Sequence, residues 1–239
     1  MPRARYPAKS ETPPALPPVS RPVGQVVAEA IKLYQSNVVV ALALGLPVAV
    51  IDQLVVGQTV GTRILVLLVF SPLLSIAYVC ATAINQGTRP PIRTWLVAIG
   101  VGVLTFIPAA FFFPWFAIAS ILWLGLAGHA APAAMVERLG VLGALRRTVQ
   151  LARADYIHAA GSLATLALLF GLTRLALGLL LRSQADATIR ASIFLADVVI
   201  SPLLYFGGAI VYVDLVARVG VSRDERRRLR NTAFGRGAE

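Results

Sequence analysis

Residues 94–136 read TWLVAIGVGVLTFIPAAFFFPWFAIASILWLGLAGHAAPAAMV, 43 positions without one Asp, Glu, Lys or Arg. As a single helix this stretch would be roughly 64 Å long at about 1.5 Å per residue. That is twice the hydrocarbon thickness of a bilayer, about 30 Å. The stretch must therefore cross, turn and cross back. Pro108 and Pro114 flank Phe111-Phe112-Phe113, and a proline, lacking its backbone donor, ends or kinks a helix. They mark the turn, with Trp115 as an interfacial anchor. Two of the predicted spans are then about 94–107 with turn residues, and 115–136.

The same criterion of about 20 mostly apolar residues picks out 37–56 and 64–84 before this hairpin, and 157–181 and 192–215 after it. Composition agrees. Of 239 residues, 57% are hydrophobic and 14% charged, against roughly 45–50% and about 25% in soluble domains. A single soluble core of this size could not hide so much apolar surface. The predicted fold class is all-α, a polytopic membrane protein with six transmembrane helices. Its one cysteine, Cys80, excludes an intrachain disulfide and a cysteine-based zinc site. Lying in an apolar run, it reads as an inert buried thiol.

Net charge is +11, from 22 basic and 11 acidic residues. Arg3, Arg5, Lys9, Arg21 and Lys32 precede the first span. Arg89 and Arg93 follow the second, and Arg138, Arg146, Arg147 and Arg153 the fourth. Arg218, Arg223, Arg226, Arg227, Arg228, Arg230 and Arg236 end the chain. All eighteen fall on one side, against Arg63, Arg182 and Arg190 on the other, with Arg174 inside a span. The bias orients both termini toward the cytoplasm. It also argues against a nucleic-acid partner, because the nearest phosphates are lipid headgroups, worth about 1 kcal/mol per basic residue beside an anionic leaflet. Residues 1–22 carry seven prolines and no apolar signal region, so a disordered cytoplasmic tail is expected rather than a cleaved leader. Residues 23–217 form the membrane domain and 218–239 a basic tail.

Two amphipathic helices are predicted on the cytoplasmic side. Val23–Ser36 gathers Val26, Val27, Ala30, Ile31 and Tyr34 on one face. Residues 139–154 gather Leu142, Leu145, Val149 and Ala152 against Arg146, Arg147, Gln150 and Arg153. Each stands just before a span, and such helices lie most simply in the headgroup plane; docking to a partner is the alternative. Each also opens one half of an apparent parallel repeat of helix, span and span. Phe70-Ser71-Pro72-Leu73-Leu74 echoes Ile200-Ser201-Pro202-Leu203-Leu204. Both prolines should kink their helices by freeing the carbonyls of Leu68 and Val198, with the serine hydroxyls available to those groups.

Ionisable residues within a bilayer are costly and need partners. Counted along their helices, Arg174 lies about 10 Å and Asp197 about 8 Å from the same, outer edge. An Arg174–Asp197 ion pair is expected, which Asp52 near the outer end of span one can join. It reads as a structural pin between spans five and six, or as an outward-facing polar pocket for an anionic headgroup or ion. His129, His158 and Glu137 lack metal-ligand spacing. No phosphate-binding Gly-rich loop or Gly-x-Ser-x-Gly elbow occurs. No metal, cofactor or catalytic residue is predicted.

Three further segments resemble a known family. Glu29-Ala30-Ile31-Lys32-Leu33-Tyr34, then Glu137 with Ala144-Leu145-Arg146-Arg147-Thr148, Leu151 and Arg153, then Tyr212-Val213-Asp214-Leu215-Val216-Ala217-Arg218 are similar to motifs of the bacterial glycerophosphoryl diester phosphodiesterase membrane-domain family. The likeness covers about residues 21–224. Thr148 stands where that family usually has serine, and Asp155-Tyr156 where a glycine and an aromatic are common. The resemblance implies a multi-pass module of the bacterial cytoplasmic membrane, fused in some members to a soluble phosphodiesterase that this chain lacks. On these motifs Glu137 is expected to pair with Arg146 or Arg147, and Asp214 with Arg218 at i, i+4. Exposed, such pairs contribute well under ~1 kcal/mol each.

The function expected is a non-enzymatic membrane module that organises lipid, or a partner protein, with Glu137, Arg146, Arg147, Arg153, Asp214 and Arg218 as its cytoplasmic-face contacts to anionic headgroups. The rivals are a small transporter or channel subunit using Arg174, Asp197 and Asp52, and a membrane-embedded enzyme acting on lipids.

Overall fold

The computed structural model describes residues 17–87 and 89–221, together with Glu225 and Arg228. The described chain is all helix. α1 (Val23–Ser36) leads into α2 (Val38–Val55) and α3 (Val60–Gln86). The hairpin follows as α4 (Ile92–Phe112), α5 (Ala117–Ala127) and α6 (Ala130–Val136), then α7 (Val141–Leu180), α8 (Asp186–Ile200) and α9 (Pro202–Arg218). Six helical stretches are long and apolar enough to cross a membrane: α2, α3, α4, α5 with α6, α7, and α8 with α9. This is a multi-pass membrane protein. Consistent with that, Leu65, Val69, Leu96, Ile118, Leu179 and Leu195 stand exposed on the outside of the bundle. Arg21 and Arg218 lie at one end, here the terminal end; the turns at 56–59, 113–116 and 181–185 form the far end.

The hairpin turns later than its prolines suggest. α4 continues past Pro108 to Phe112, and the turn is 113–116. Pro108 leaves the Leu104 carbonyl without its helical donor. One residue on, the Trp123 indole donates to the Thr105 carbonyl across the hairpin (2.8 Å), and Ser120 Oγ donates to the Ala109 carbonyl (2.8 Å). The returning helix thus supports the bend. Phe111, Phe113, Trp115 and Phe116 are exposed around the turn, an aromatic cap suited to an interface. The return span is itself divided at Gly128-His129. Its second part, α6, buries Ala130, Ala131, Ala133 and Ala134 completely. Such small side chains let helix backbones approach closely where apolar burial alone gives little drive for association.

The two Ser-Pro sites behave differently from each other. α3 runs unbroken through Pro72, and Ser71 Oγ donates to the freed Leu68 carbonyl at 2.7 Å. Span six is instead divided at Ser201, and Ser201 Oγ donates to the Gly45 carbonyl of α2 at 3.4 Å. There α2 and α8 come together at Gly45, where any Cβ would overlap the Val198 backbone. The repeat's packing also diverges. α2 packs along α8, whereas among the described residues α3 and α7, the counterpart helices, barely touch.

The second amphipathic helix and span five meet at Asp155, whose backbone is non-helical (φ −162°, ψ 76°), so α7 is two helices joined where the break between residues 154 and 157 is expected. α1 turns part of its apolar face inward: Val26 and Ala30 are buried against α9 and α7, while Ile31 stays exposed. Residues 17–22 include a 3-10 turn, Pro18–Ser20, packed on α9. Residues 1–16 and most of the basic tail after 221 lie outside the described residues.

Candidate functional site

Polar side chains gather at the two ends of the bundle, with a cavity between. At the far end, α2 carries Asp52, α7 carries Arg174 and α8 carries Asp197. Arg174 Nη2 donates to Asp52 Oδ1 at 2.5 Å, and its Nε lies 3.5 Å from Asp197 Oδ1. Asp197 is wholly buried and Asp52 nearly so. The guanidinium also lies 5.5 Å from the Phe170 ring centroid, one turn back on α7, within cation–π range. All three predicted residues therefore meet, with Asp52 holding the closer contact and Asp197 the looser one. Gln53 adds a bond from its amide to the Arg190 carbonyl (3.2 Å), tying α2 to α8 two turns before Asp197.

Arg174 also lines a cavity of about 990 Å³. The cavity occupies the space left by the missing α3–α7 packing. Its walls are Leu74 and Tyr78 of α3, Leu124 of α5, Leu163 through Leu175 of α7, and Leu204 and Tyr205 of α9. From Leu163 to Leu175 it runs about 18 Å along the helix. The lining is almost wholly apolar, apart from Arg174 and a few hydroxyl groups. Among these the Tyr205 hydroxyl is buried without a hydrogen-bond partner. Ligand sites are typically this large and this apolar, with a few polar groups to set orientation.

At the terminal end Asp214 is fully buried and is held by Arg21 Nη1 (2.6 Å) and His158 Nε2 (3.2 Å). Arg218 does not pair with Asp214. It turns the other way, to Asp155 Oδ2 (2.9 Å), and donates through Nη2 to the Arg21 carbonyl (2.7 Å). The expected i, i+4 contact fails because α9 is surrounded here. A buried carboxylate needs donors from the elements that enclose it, and those are the N-terminal turn and α7. Asp155 meanwhile caps the helix after the kink, its Oδ1 accepting from the His158 backbone N–H (3.1 Å) in the manner of an N-cap. Glu137 accepts from Arg147 Nε (2.8 Å) and from the Tyr212 hydroxyl (3.0 Å), so of the two candidate arginines Arg147 is its partner. The three segments that carry the family resemblance thus converge on one end of the bundle.

Sequence reasoning missed Arg21, His158 and Asp155 here. Of these only Asp155 left a local trace, as an aspartate standing three residues before His158 at the start of an apolar run. His129 is buried next to the division between α5 and α6, with neither ring nitrogen hydrogen-bonded. No group of three His, Cys, Asp or Glu that could hold a metal occurs among the described residues.

Arg146 and Arg153 are placed differently from Arg147. The first half of α7 buries Ala144, Thr148 and Leu151 against the bundle; of the predicted apolar face, Ala152 is buried and Leu145 packs against the core, while Leu142 and Val149 face outward. Leu142 and Val149 are exposed, and at about 100° per residue they share a stripe with Arg146 and Arg153. A smaller cleft of about 420 Å³, lined by Arg21, Glu29, Lys32, Asn85 and Gln86 among others, opens between α1, α3 and α9.

No protein-family model matches the chain, and neither a curated protein nor a solved structure does.

Proposed function

We propose that this chain is a non-enzymatic integral membrane module that organises lipid in a bacterial cytoplasmic membrane, with both termini in the cytoplasm. The observation that carries the reading is the apolar cavity. Its length of about 18 Å compares with about 15 Å for one leaflet of a 30 Å hydrocarbon core. It therefore suits one hydrocarbon chain of a membrane lipid lying along α7. The exposed stripe of Leu142, Val149, Arg146 and Arg153 supports a second contact. Its aliphatic groups enter the headgroup boundary while its guanidinium groups meet anionic phosphates. Glu137, Arg147, Asp214 and Arg218 hold the helices beneath that surface rather than meeting lipid themselves. The resemblance to the glycerophosphoryl diester phosphodiesterase membrane-domain family rests on the quoted motifs and on their convergence at the terminal end.

Native mass spectrometry in a gentle detergent tests this. Gly171 lines the cavity, and a Cβ there meets nothing within 4 Å, so Gly171→Leu fills the cavity without disturbing a neighbour. Gly178 is equally open but outside the lining, and Gly178→Leu is its control. The wild type and Gly178→Leu should retain lipid, and Gly171→Leu should lose most of it. Arg146→Ala with Arg153→Ala should reduce retention of anionic lipid in particular. Equal lipid on all variants, or none on the wild type, would sink the proposal.

The transporter or channel reading draws on a single observation, that Arg174 lines the cavity. It requires Arg174→Ala to abolish flux in vesicles while folded protein is kept. For a lipid-acting enzyme, incubation with lipid extracts should reveal turnover, with or without divalent metal; none is expected.

A further inference from the structure

The far-end cluster sets two carboxylates against one guanidinium. Asp197 has no exposed surface, and neither of its oxygens has a hydrogen-bond partner; Asp52 Oδ2 is likewise buried and unpartnered. Three elements pack on α8. α2 brings Asp52 and α7 brings Arg174, while the charges of α9, Asp214 and Arg218, lie at its terminal end. On α8 itself Arg190 stands two turns away and Asp186 three. Among the described residues, then, only Arg174 is placed to neutralise Asp197, and its shorter contact goes to Asp52.

We infer that Arg174, Asp52 and Asp197 form a one-proton binding site, with the proton on Asp197. An ionised carboxylate stripped of water is strongly disfavoured unless paired and hydrogen-bonded, and like charges sharing a site resist ionising together. With both acids ionised the cluster keeps a net negative charge in an apolar slab. With one proton it is neutral, and Arg174 keeps a full counter-ion in Asp52. The size of the ligand follows from burial. The unpartnered oxygens expose less than 1 Å² each, which leaves no room for a water or a metal ion against them, whereas a proton needs none. This inference stands whether or not the cavity holds lipid.

Infrared spectroscopy of the full chain in lipid vesicles at neutral pH tests it through the carbonyl stretch of a protonated carboxylic acid, identified by its shift in D₂O. The wild type should show one such group that is missing from Asp197→Asn. Asp52→Asn should also lose it, because Asp197 then becomes the only counter-ion of Arg174 and ionises. Arg174→Gln should show twice the wild-type intensity. Asparagine imitates the neutral acid, so Asp197→Asn should melt with the wild type. A band unchanged by Asp197→Asn, no band in the wild type, or a clear loss of stability in Asp197→Asn would each overturn the assignment.

Discussion

Gly45→Ala should part the two helices that carry the carboxylates of the far-end cluster. A Cβ at residue 45 would sit 2.8 Å from both the carbonyl carbon and the Cα of Val198, and closer still to its oxygen. Carbon atoms prefer about 3.5–4.0 Å, so the backbones of α2 and α8 must separate by at least ~0.7 Å. Neither side can yield by rotating a side chain, because the obstacle is backbone. Overpacking of this kind costs about 1–3 kcal/mol, less the ~0.5–1 kcal/mol that alanine recovers over glycine within a helix. Thus up to about 2.5 kcal/mol of stability should be lost, which at about 2–4 °C per kcal/mol for a chain of this size is a fall in Tm of up to roughly 10 °C. The half-buried Cys80, the only thiol in the chain, allows a thiol-reactive fluorophore to follow unfolding in detergent. Gly171→Ala, where the added methyl meets open space, is the matched control and should melt at or slightly above the wild-type temperature. If Gly45→Ala melted with that control, the close approach of α2 and α8 would be refuted, and with it the geometry that brings Asp52 and Asp197 to one arginine.

At the terminal end, Asp214→Asn should be the most damaging single change. It strips Arg21 of a fully buried counter-charge and should cost about 3–5 kcal/mol, seen as a large drop in Tm. Tyr212→Phe removes only the hydroxyl bond to Glu137 and should cost about 1 kcal/mol. Arg147→Ala should lower Tm by an amount within ~1 kcal/mol, whereas Arg146→Ala should leave it unchanged while lowering affinity for anionic vesicles. A stability loss on Arg146→Ala equal to that of Arg147→Ala would contradict the placement of the two side chains.

What the sequence made legible follows from how a membrane constrains a chain. The 43 uncharged residues of the hairpin admit one interpretation, because a slab of fixed thickness sets helix length. The same slab turns residue number into depth, and so Arg174, Asp197 and Asp52 could be placed together before any contact was visible. Lateral arrangement has no such ruler. Nothing near Asp214 announces that its partners are Arg21 and His158, 193 and 56 residues away, and the local i, i+4 rule pointed to Arg218 instead. Likewise, identical Ser-Pro pairs give an unbroken α3 and a divided span six. The difference lies in a neighbour: Ser71 bonds within its own helix, whereas Ser201 faces the bare backbone of Gly45. The inward face of the first half of α7 was illegible for a related reason: hydrophobicity singles out Leu142 and Val149, which face outward, while close helix packing buries the small Ala144 and Thr148.

The clasp at the terminal end has a consequence for how the protein is made. Arg21 is synthesised well before the two residues that hold it, Asp214 at its side chain and Arg218 at its carbonyl. At about 5–20 residues per second, the 193 residues between Arg21 and Asp214 take on the order of 10–40 s. Through that interval Val26 and Ala30 of α1 have no α9 to cover them. Insertion of the last span therefore closes the terminal end in one event. A nascent chain arrested before α9 would leave this end open, a mark by which membrane quality control could tell an unfinished copy from a finished one.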